Sequence, residues 1–288
     1  MNGKWNRAYV AIVFAGALLG AGSVASAQGS NQSSTAAQPV KPSAQPTPDN
    51  KLTLDDAPPP ASAEEEAAYK AFTDVTPTDF QKKISVGEDF AQKYPKSRYL
   101  PLVYSTLTND YVQTGQVPKM EEIGEKEIAL RPDDVLVLAL LGQTIPRALN
   151  SSTPNPDQEL DKAEKYSKRA IELTPTLPKP PNLTDENFAT AKNQTLAMAH
   201  SGLGLVYVRR GKFAEAIPEL EASVKIDPNP DPVNYYLLGL SNEKTSHFED
   251  SQAAFNKCAA LPGSLQATCK KGSEEAKKLS ETQMSAPK

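Results

Sequence analysis

Five residues in the second half of the chain have the spacing of one helix–turn–helix unit: Gly204, Tyr207, Gly211, Ala216 and Pro228. Gly204 and Ala216 are small enough to let two helices approach closely, while Tyr207 and Leu220 fill the space around that contact. Gly211 permits the positive φ of a tight turn, and Pro228 cannot continue the second helix. Residues 197–230 therefore predict an antiparallel helix pair with a repeat length of about 34 residues.

Less regular copies of this pattern flank residues 197–230. The following unit has Tyr235, Leu238, Gly239, Phe248, Ser251, Phe255 and Pro262. A preceding unit has Leu138, Leu141, Gly142 and Ile145 on its first helix, then Ala163, Ala170, Leu173 and Pro175 after an insertion at Leu149–Asp157. A further unit has Tyr104, Leu107, Tyr111, Gly115, Ile128, Leu130 and Pro132, with Met120 where a small residue is expected.

The two ends of the predicted array differ from these units. Helices are predicted at about Ala63–Thr73 and Thr78–Tyr94, with the Thr78 side chain capping the second one. At the other end, Gly272 and the charged run between Lys270 and Lys278 predict a polar closing helix. A terminal repeat needs such a cap because its outer face has no stacking neighbour.

One predicted helix is longer than a repeat requires. Four prolines make the connection Thr174–Asn182 stiff and extended, and Thr184 then caps a helix that runs to about Arg210. The additional turns either pack on the preceding unit or project as a binding ridge. Packing is the expected alternative, since most helical stability comes from a buried face.

The pattern resembles the tetratricopeptide repeat over roughly residues 64–263. The resemblance implies an all-α fold: an α-solenoid of stacked antiparallel helix pairs, with irregular insertions and a C-terminal capping helix. Tyr94-Pro95-Lys96-Ser97 is similar to helix junctions in cell-envelope members of that family. Such solenoids present an extended concave surface that usually binds proteins or peptides.

The start of the chain has the plan of a secretory signal peptide. Lys4 and Arg7 precede an apolar run from Ala8 to about Gly20, which ends in the cleavage signal Ala25-Ser26-Ala27. The predicted parts are a signal peptide (1–27), a disordered Pro/Ser/Ala/Gln-rich linker (28–61), a repeat domain (62–279) and a flexible tail (280–288). The expected location is the periplasm or the exterior, with no membrane span once the signal is removed.

Charge does not favour nucleic acid as a partner. The formal net charge is −4, and it becomes −6 when Lys4 and Arg7 leave with the signal peptide. Nucleic-acid binding favours basic patches and a high pI instead.

The sequence contains no recognisable catalytic or metal-binding set. Its two histidines, His200 and His247, are predicted to be structural and exposed, respectively. The acidic runs at 64–66 and 121–125 have helical spacing and are typical of solvated helix faces. We therefore predict a protein that is not an enzyme and needs no cofactor or metal.

The cysteines Cys258 and Cys269 flank the turn Leu261-Pro262-Gly263. Two antiparallel helices joined by that turn would bring them within bonding distance, and export permits a disulfide. The alternatives are a disulfide that staples the closing helix to the solenoid and two free buried thiols.

In the tetratricopeptide family the first helix of each unit lines the concave groove. The resemblance therefore implies these groove candidates: Asn109, Gln143, Arg147, Ser201, Arg209, Tyr236 and Lys244. Arg147, Arg209 and Lys244 fall at equivalent positions of three successive units and could form a basic ladder for acidic ligands. The alternative is that they only solvate helix ends, where they complement the helix dipole.

The function predicted from these observations is a non-catalytic exported scaffold. It would mediate protein–protein or protein–peptide interaction in the cell envelope, with a preference for acidic ligands. One alternative is an enzyme or accessory component acting on envelope polymers, with the insertions at 149–157 and 175–196 completing a site. The other alternative is a module whose repeats drive self-association.

Overall fold

The computed structural model describes residues 61–181 and 183–285, and within them the chain forms eleven α-helices. The helices are α1 (Ala63–Thr73), α2 (Phe80–Lys93), α3 (Leu100–Gln113), α4 (Val117–Leu130), α5 (Val135–Ala148), α6 (Pro156–Leu173), α7 (Asp185–Arg209), α8 (Phe213–Ile226), α9 (Pro232–Lys244), α10 (Phe248–Ala260) and α11 (Gln266–Ser285). A 3-10 turn, Thr174–Thr176, follows α6. The predicted signal peptide (1–27) and all but the last residue of the predicted linker (28–61) lie outside the described residues.

The helices stack as a solenoid. Each helix packs against the next one in the chain, which gives the pairs α3–α4, α5–α6, α7–α8 and α9–α10. Alternate helices also meet, because α5 contacts both α3 and α7, and α9 contacts both α7 and α11. The predicted fold class, an α-solenoid of stacked helix pairs, is confirmed.

Short polar side chains begin several of the helices by accepting hydrogen bonds from exposed backbone N–H groups. Thr184 Oγ1 accepts from Asn187 N at 3.2 Å, as predicted for the long helix. The prediction that Thr78 caps α2 was wrong, because Asp79 is the capping residue and its Oδ1 accepts from Lys82 N at 3.3 Å. Both residue types can cap, and the helix begins one residue later than the pattern suggested.

Turns between paired helices use the left-handed backbone region. Gly115 and Gly211 have φ of 71° and 69°, a conformation that costs glycine little. In the unit that follows, Ser246 takes φ of 64° although it carries a side chain. The insertion after α5 ends with Asn155 at φ 48°, so α6 begins at Pro156, inside the segment predicted as insertion.

The close contact in the α7–α8 pair involves the residues predicted for it. A Cβ added to Gly204 would lie 2.7 Å from Leu220 Cγ, so this glycine makes room for Leu220. Ala216 is fully buried in the same cluster. The two small residues therefore act at neighbouring places along the interface.

The additional turns of α7 pack on the preceding unit. Ala191 and Thr195 are buried, and Lys192 Nζ donates to the carbonyl of Pro175 in the 3-10 turn at 2.8 Å. α7 contacts both α6 and that turn. From Ala191 onward the additional turns are thus part of the core, which is the expected alternative.

The C-terminal end of the solenoid is closed by α11. Cys258 on α10 and Cys269 on α11 form a disulfide with their Cα atoms 5.8 Å apart. Both side chains are fully buried, together with Phe255 and Ala276. α11 continues to Ser285, so the helix extends into the segment 280–288 that was predicted as a flexible tail.

Candidate functional site

The first helices of successive units lie side by side and form one surface, here named the first-helix face (α3, α5, α7 and α9). The approach is closest between α5 and α7. A Cβ added to Gly202 would lie 2.5 Å from the Gly142 carbonyl oxygen and 2.9 Å from Gln143 Cα. Glycine at 202 therefore sets the spacing of two neighbouring units, a role that the sequence pattern did not indicate.

The guanidinium of Arg147 is bound by two side chains of the protein, Asp231 and Ser201. Its Nη1 lies 3.1 Å from Asp231 Oδ2, and its Nη2 donates to Ser201 Oγ at 3.2 Å. Both partners of the ion pair are largely buried, at 28% and 17% side-chain exposure. Asp231 begins α9, 84 residues further along the chain, so this salt bridge ties α5 to α9 across α7.

Ser201 belongs to the same buried polar network. Its hydroxyl donates to Asn234 Oδ1 at 2.7 Å, and Asn234 Nδ2 donates to Ser223 Oγ at 3.1 Å. Ser223 Oγ in turn donates to the Ala197 carbonyl at 2.8 Å. These side chains are at most 3% exposed, so the network fixes α7, α8 and α9 and offers little surface to a ligand.

The two remaining cations of the predicted ladder are exposed. Arg209 Nη2 donates to the carbonyl of Leu149, just after α5, at 3.2 Å. Lys244 Nζ lies 3.7 Å from the carboxylate of its neighbour Glu243. These contacts leave both charged groups at the surface, whereas Arg147 is committed to Asp231. The predicted ladder of three cations thus has two accessible members.

The other predicted groove residues lie on the first-helix face but do not converge on one point. Tyr236 is half-buried and its ring centroid lies 6.0 Å from that of Phe255. Gln143 on α5 is half-buried and lies beside Gly202 of α7. Asn109 is at the far end on α3, where its Nδ2 lies 3.4 Å from Asp110 Oδ1.

Apolar side chains also reach this surface. Leu205 and Val208 on α7 and Leu240 on α9 are half-buried, and each is packed against a core cluster while part of its surface remains accessible. They lie on the same two helices as Arg209 and Lys244. This part of the first-helix face is therefore an apolar surface with cations beside it.

The two histidines lie in separate surroundings. His200 Nδ1 lies 2.6 Å from Glu219 Oε2 and joins α7 to α8, which fits the structural role predicted for it. His247 is exposed and lies 2.8 Å from Thr245 Oγ1 in the α9–α10 turn. Residues 61–181 and 183–285 contain no cluster of three or more His, Cys, Asp or Glu side chains able to hold a metal.

Two buried carboxyl groups, Asp110 on α3 and Glu127 on α4, have strongly raised pKa values. Burial raises the pKa of Asp110 on α3 to about 6, opposed by the Lys83 charge, and its Oδ2 has no hydrogen-bond partner in the described structure. Burial raises the pKa of Glu127 on α4 to about 8, although Arg131 Nε lies 2.6 Å from it. Neither was singled out from the sequence, because helical spacing does not reveal which carboxylates are buried.

Residues 197–230 match the family model described as "Tetratricopeptide repeat". These residues comprise the end of α7, all of α8 and the connection to α9. This stretch of the chain is therefore similar to a tetratricopeptide repeat. The clearest repeat is therefore the one that carries Ser201, Arg209 and the Gly202 contact.

Several solved structures are similar to this chain at low identity. A thermophilic tetratricopeptide-repeat protein of Thermus thermophilus, TTC0263, is 16% identical, with 74% of this chain and 98% of that chain covered and a TM-score of 0.45. A structure of MamA is 20% identical over 67% and 91% of the two chains, with a TM-score of 0.49. PilW, a type IV pilus biogenesis factor, is 13% identical over 77% and 93%, also at 0.49. The search of curated proteins found no match.

Within residues 61–181 and 183–285, each helix is too short or too polar to span a lipid bilayer.

Proposed function

We propose that this protein is a non-catalytic scaffold that binds a protein or peptide segment on the α7–α9 part of the first-helix face. The observation that carries the proposal is the accessible apolar surface of Leu205, Val208 and Leu240 on the two helices that carry the exposed cations Arg209 and Lys244. A peptide can bury apolar side chains there and place polar groups at the edge, as in other protein interfaces. The polar network beneath holds the helices in place, so the surface is formed before binding.

A preference for acidic segments follows from the same surface. Arg209 and Lys244 are exposed, and their present partners are a carbonyl and a neighbouring carboxylate. A ligand carboxylate would gain charge-assisted hydrogen bonds there, in particular from the guanidinium. Because both sites are open to solvent, binding should weaken as the salt concentration rises.

The experiment is a pull-down from envelope extract with the unmodified chain and with Arg209→Glu plus Lys244→Glu. The matched control is Lys212→Glu plus Lys225→Glu, which makes the same charge change at exposed positions at the start and on the last turn of α8. We expect the first pair to lose the captured partner and the control to retain it. Equal capture by both variants would refute the acidic preference.

Arg147 should be left intact in that experiment. Its replacement would leave Asp231 without its buried ion-pair partner and would disturb α5, α7 and α9 together. A loss of binding would then report a change in the fold and not in the binding surface.

We also propose that the protein is exported and acts in the cell envelope. The signal pattern before Ala27 supports this, and so does the Cys258–Cys269 disulfide, since such bonds persist mainly in oxidising compartments. N-terminal sequencing of the protein recovered from a periplasmic fraction should give Gln28 as the first residue. Recovery of the uncleaved chain from the cytoplasm alone would contradict export.

A further inference from the structure

A small cleft lies between the second helices of the last two repeats, α8 and α10. Its volume is about 190 Å³, and its inner wall is formed by α9, which packs against both of those helices. Sites for drug-sized ligands are larger, about 300–1,000 Å³. The size of this cleft, here named the α8–α10 cleft, therefore suits a single side chain.

An equivalent cleft lies between α4 and α6, so the two can be compared position by position. Each second helix buries one residue completely at the same position of the repeat: Met120 on α4, Ala163 on α6, Ala216 on α8 and Ser251 on α10. Counted from these residues, Ile128 of the α4–α6 cleft corresponds to Val224 of the α8–α10 cleft, and Arg169 corresponds to Lys257. The two clefts are thus the same feature in different units.

At the α4–α6 junction the chain supplies its own cation to the carboxylates. Lys162 Nζ on α6 lies 2.7 Å from Glu121 Oε1 and 3.1 Å from Glu125 Oε1 on α4. The Tyr166 hydroxyl, one turn further along α6, donates to Glu125 Oε1 at 3.2 Å. A lysine and a tyrosine of one second helix therefore satisfy the carboxylates of the preceding one.

At the α8–α10 junction the carboxylate is present but those two groups are not. Glu221 has the position of Glu125, whereas Asp250 replaces the lysine and Ala254 replaces the tyrosine, and all three replacements line the cleft. Glu221 and Asp250 are exposed, and neither has a basic side chain within 4 Å among the described residues. Lys257 also lines the cleft, but its Nζ lies 5.9 Å from the Tyr235 ring centroid and pairs with neither carboxylate.

A nearly buried amide faces the same cleft. Asn242 on α9 is 3% exposed, and it stands where the first helices of other units have Ile145 and Tyr207. Its Nδ2 donates to the Leu238 carbonyl at 3.1 Å, while its Oδ1 accepts no hydrogen bond from residues 61–181 and 183–285. Polar groups at such depth normally have a partner. A donor that enters the cleft would supply one.

We propose that the α8–α10 cleft binds a lysine side chain of a partner protein. The ammonium group has three donors, and they match three acceptors: the Glu221 carboxylate, the Asp250 carboxylate and Asn242 Oδ1. The four-carbon stem of the lysine packs on the apolar part of the cleft, as lysine stems do on apolar surfaces. The bound side chain thereby takes the role that Lys162 has at the α4–α6 junction.

This inference goes beyond the proposed function. The cleft is lined by the second helices and selects a basic group, whereas the first-helix face presents the exposed cations Arg209 and Lys244. One partner with acidic and basic segments, or two different partners, can therefore bind at the same time. The loss of either site leaves the other intact.

The test is an NMR titration of the full chain with a blocked five-residue peptide that has one lysine among alanines. The reporters line the cleft: the side-chain amide of Asn242 and the methyl groups of Ala253 and Ala254. We expect the lysine peptide to shift these signals. Norleucine in place of lysine keeps the stem but removes the charge, and it should bind about tenfold more weakly, the factor typical of one charge-assisted hydrogen bond.

Two double variants test the carboxylates. Glu221→Gln plus Asp250→Asn should weaken the lysine peptide at least about threefold, because exposed ion pairs contribute modestly. Glu215→Gln plus Glu249→Gln is the matched control, since it makes the same charge change at exposed positions on the same two helices. The control should bind like the unmodified chain. All four positions are exposed, so we expect both variants to fold.

Every other result overturns part of the proposal. Equal binding of the lysine and norleucine peptides overturns the recognition of charge, and equal binding by the two double variants overturns the role of Glu221 and Asp250. Tighter binding of an arginine peptide overturns the choice of lysine. Tighter binding of 1,4-diaminobutane overturns a protein as the source of the amine. Reporter signals that shift with the concentration of the chain alone assign the occupant to a second copy and overturn a different partner.

Discussion

Helices α1–α4 and α7–α10 form comparable pairs in one solenoid, but different groups hold them together. At the N-terminal end the contacts are made by rings, with Tyr69 stacked on Tyr99 at 3.9 Å and Phe90 tilted against Tyr94 at 5.2 Å. Glycines make room for neighbouring side chains in both regions, as at Gly87 on α2 and Gly204 on α7, but at Gly202 an added Cβ would meet the backbone of α5 instead. The N-terminal contacts therefore rely more on rings, while the closest backbone approach lies where α7 meets α5.

Buried polar groups differ between the same two regions. The N-terminal region buries ionisable side chains, including Lys83, Asp110 and Glu127, and one oxygen of each carboxyl has no partner in the described structure. The network of the C-terminal region is largely neutral, with Ser201, Ser223 and Asn234 bonded to each other. The comparison indicates that the regular repeats gain a fixed geometry from neutral hydrogen bonds, while the opening pairs retain costly charges and compensate with apolar burial.

The largest effect is expected at the aromatic end. Phe90→Ala removes a ring that is 2% exposed and should lower the free energy of unfolding by roughly 4 kcal/mol. Because each unit contacts mainly its neighbours, amide hydrogen exchange should speed up in α1–α3 and stay unchanged in α8–α10. Uniform loss of protection over all helices would contradict the separation into two regions.

A somewhat smaller effect is expected from the glycine contact. Gly202→Ala places a Cβ 2.5 Å from the Gly142 carbonyl oxygen, and backbone on both sides cannot move aside cheaply. We expect a loss of roughly 3 kcal/mol in chemical unfolding. Gly204→Ala is the matched control, because the atoms that it meets first belong to the movable Leu220 side chain, and it should cost less. A larger loss in the control would show that spacing is not fixed at Gly202.

The buried charges predict a pH dependence confined to the N-terminal region. The pKa of Asp110 is about 6 in the folded protein, against about 4 in an unfolded chain. The folded state therefore binds more protons between these values, and its stability falls as pH rises from about 4 to about 6, by up to about 2.7 kcal/mol. Asp110→Asn should remove this part of the pH dependence of the unfolding free energy, which is measured by urea unfolding at several pH values. An unchanged pH dependence of the unfolding free energy in the variant would assign it to another titrating group.

The smallest effect is expected in the neutral network. Ser201→Ala leaves Asn234 Oδ1 without the hydroxyl of Ser201 and removes an acceptor of Arg147, at a cost of about 1 kcal/mol. The thermal unfolding midpoint should fall by a few degrees with no change in its dependence on pH. Ser105 on α3 is only half-buried, so Ser105→Ala should leave the midpoint unchanged.

The repeat units could be predicted from sequence because their determinants are local. Gly211, Thr184 and the apolar positions at helical spacing act within a few residues, and the structure places them in the expected turn, cap and core. Errors of one or two residues arose where two residues compete for one role, as Thr78 and Asp79 do at the start of α2.

The candidate site was predicted less well because its chemistry depends on distant pairs. Family positions correctly put Arg147, Ser201 and Arg209 on the first helices. Nothing near Arg147 in the sequence reveals that Asp231, 84 residues away, neutralises it. Gly202 was missed for the same reason, since its closest neighbours are backbone atoms of α5.

The bond between Cys258 and Cys269 has a consequence for the survival of the chain in the cell. In a reducing compartment the two sulfurs would stay as thiols, and the last helix would be held only by its packing against α10 and a few contacts with α9. Such an end opens more often, and transiently opened segments are where proteases cut. A molecule that stays in a reducing compartment would thus be degraded from its C-terminal helix, while an oxidised molecule would persist.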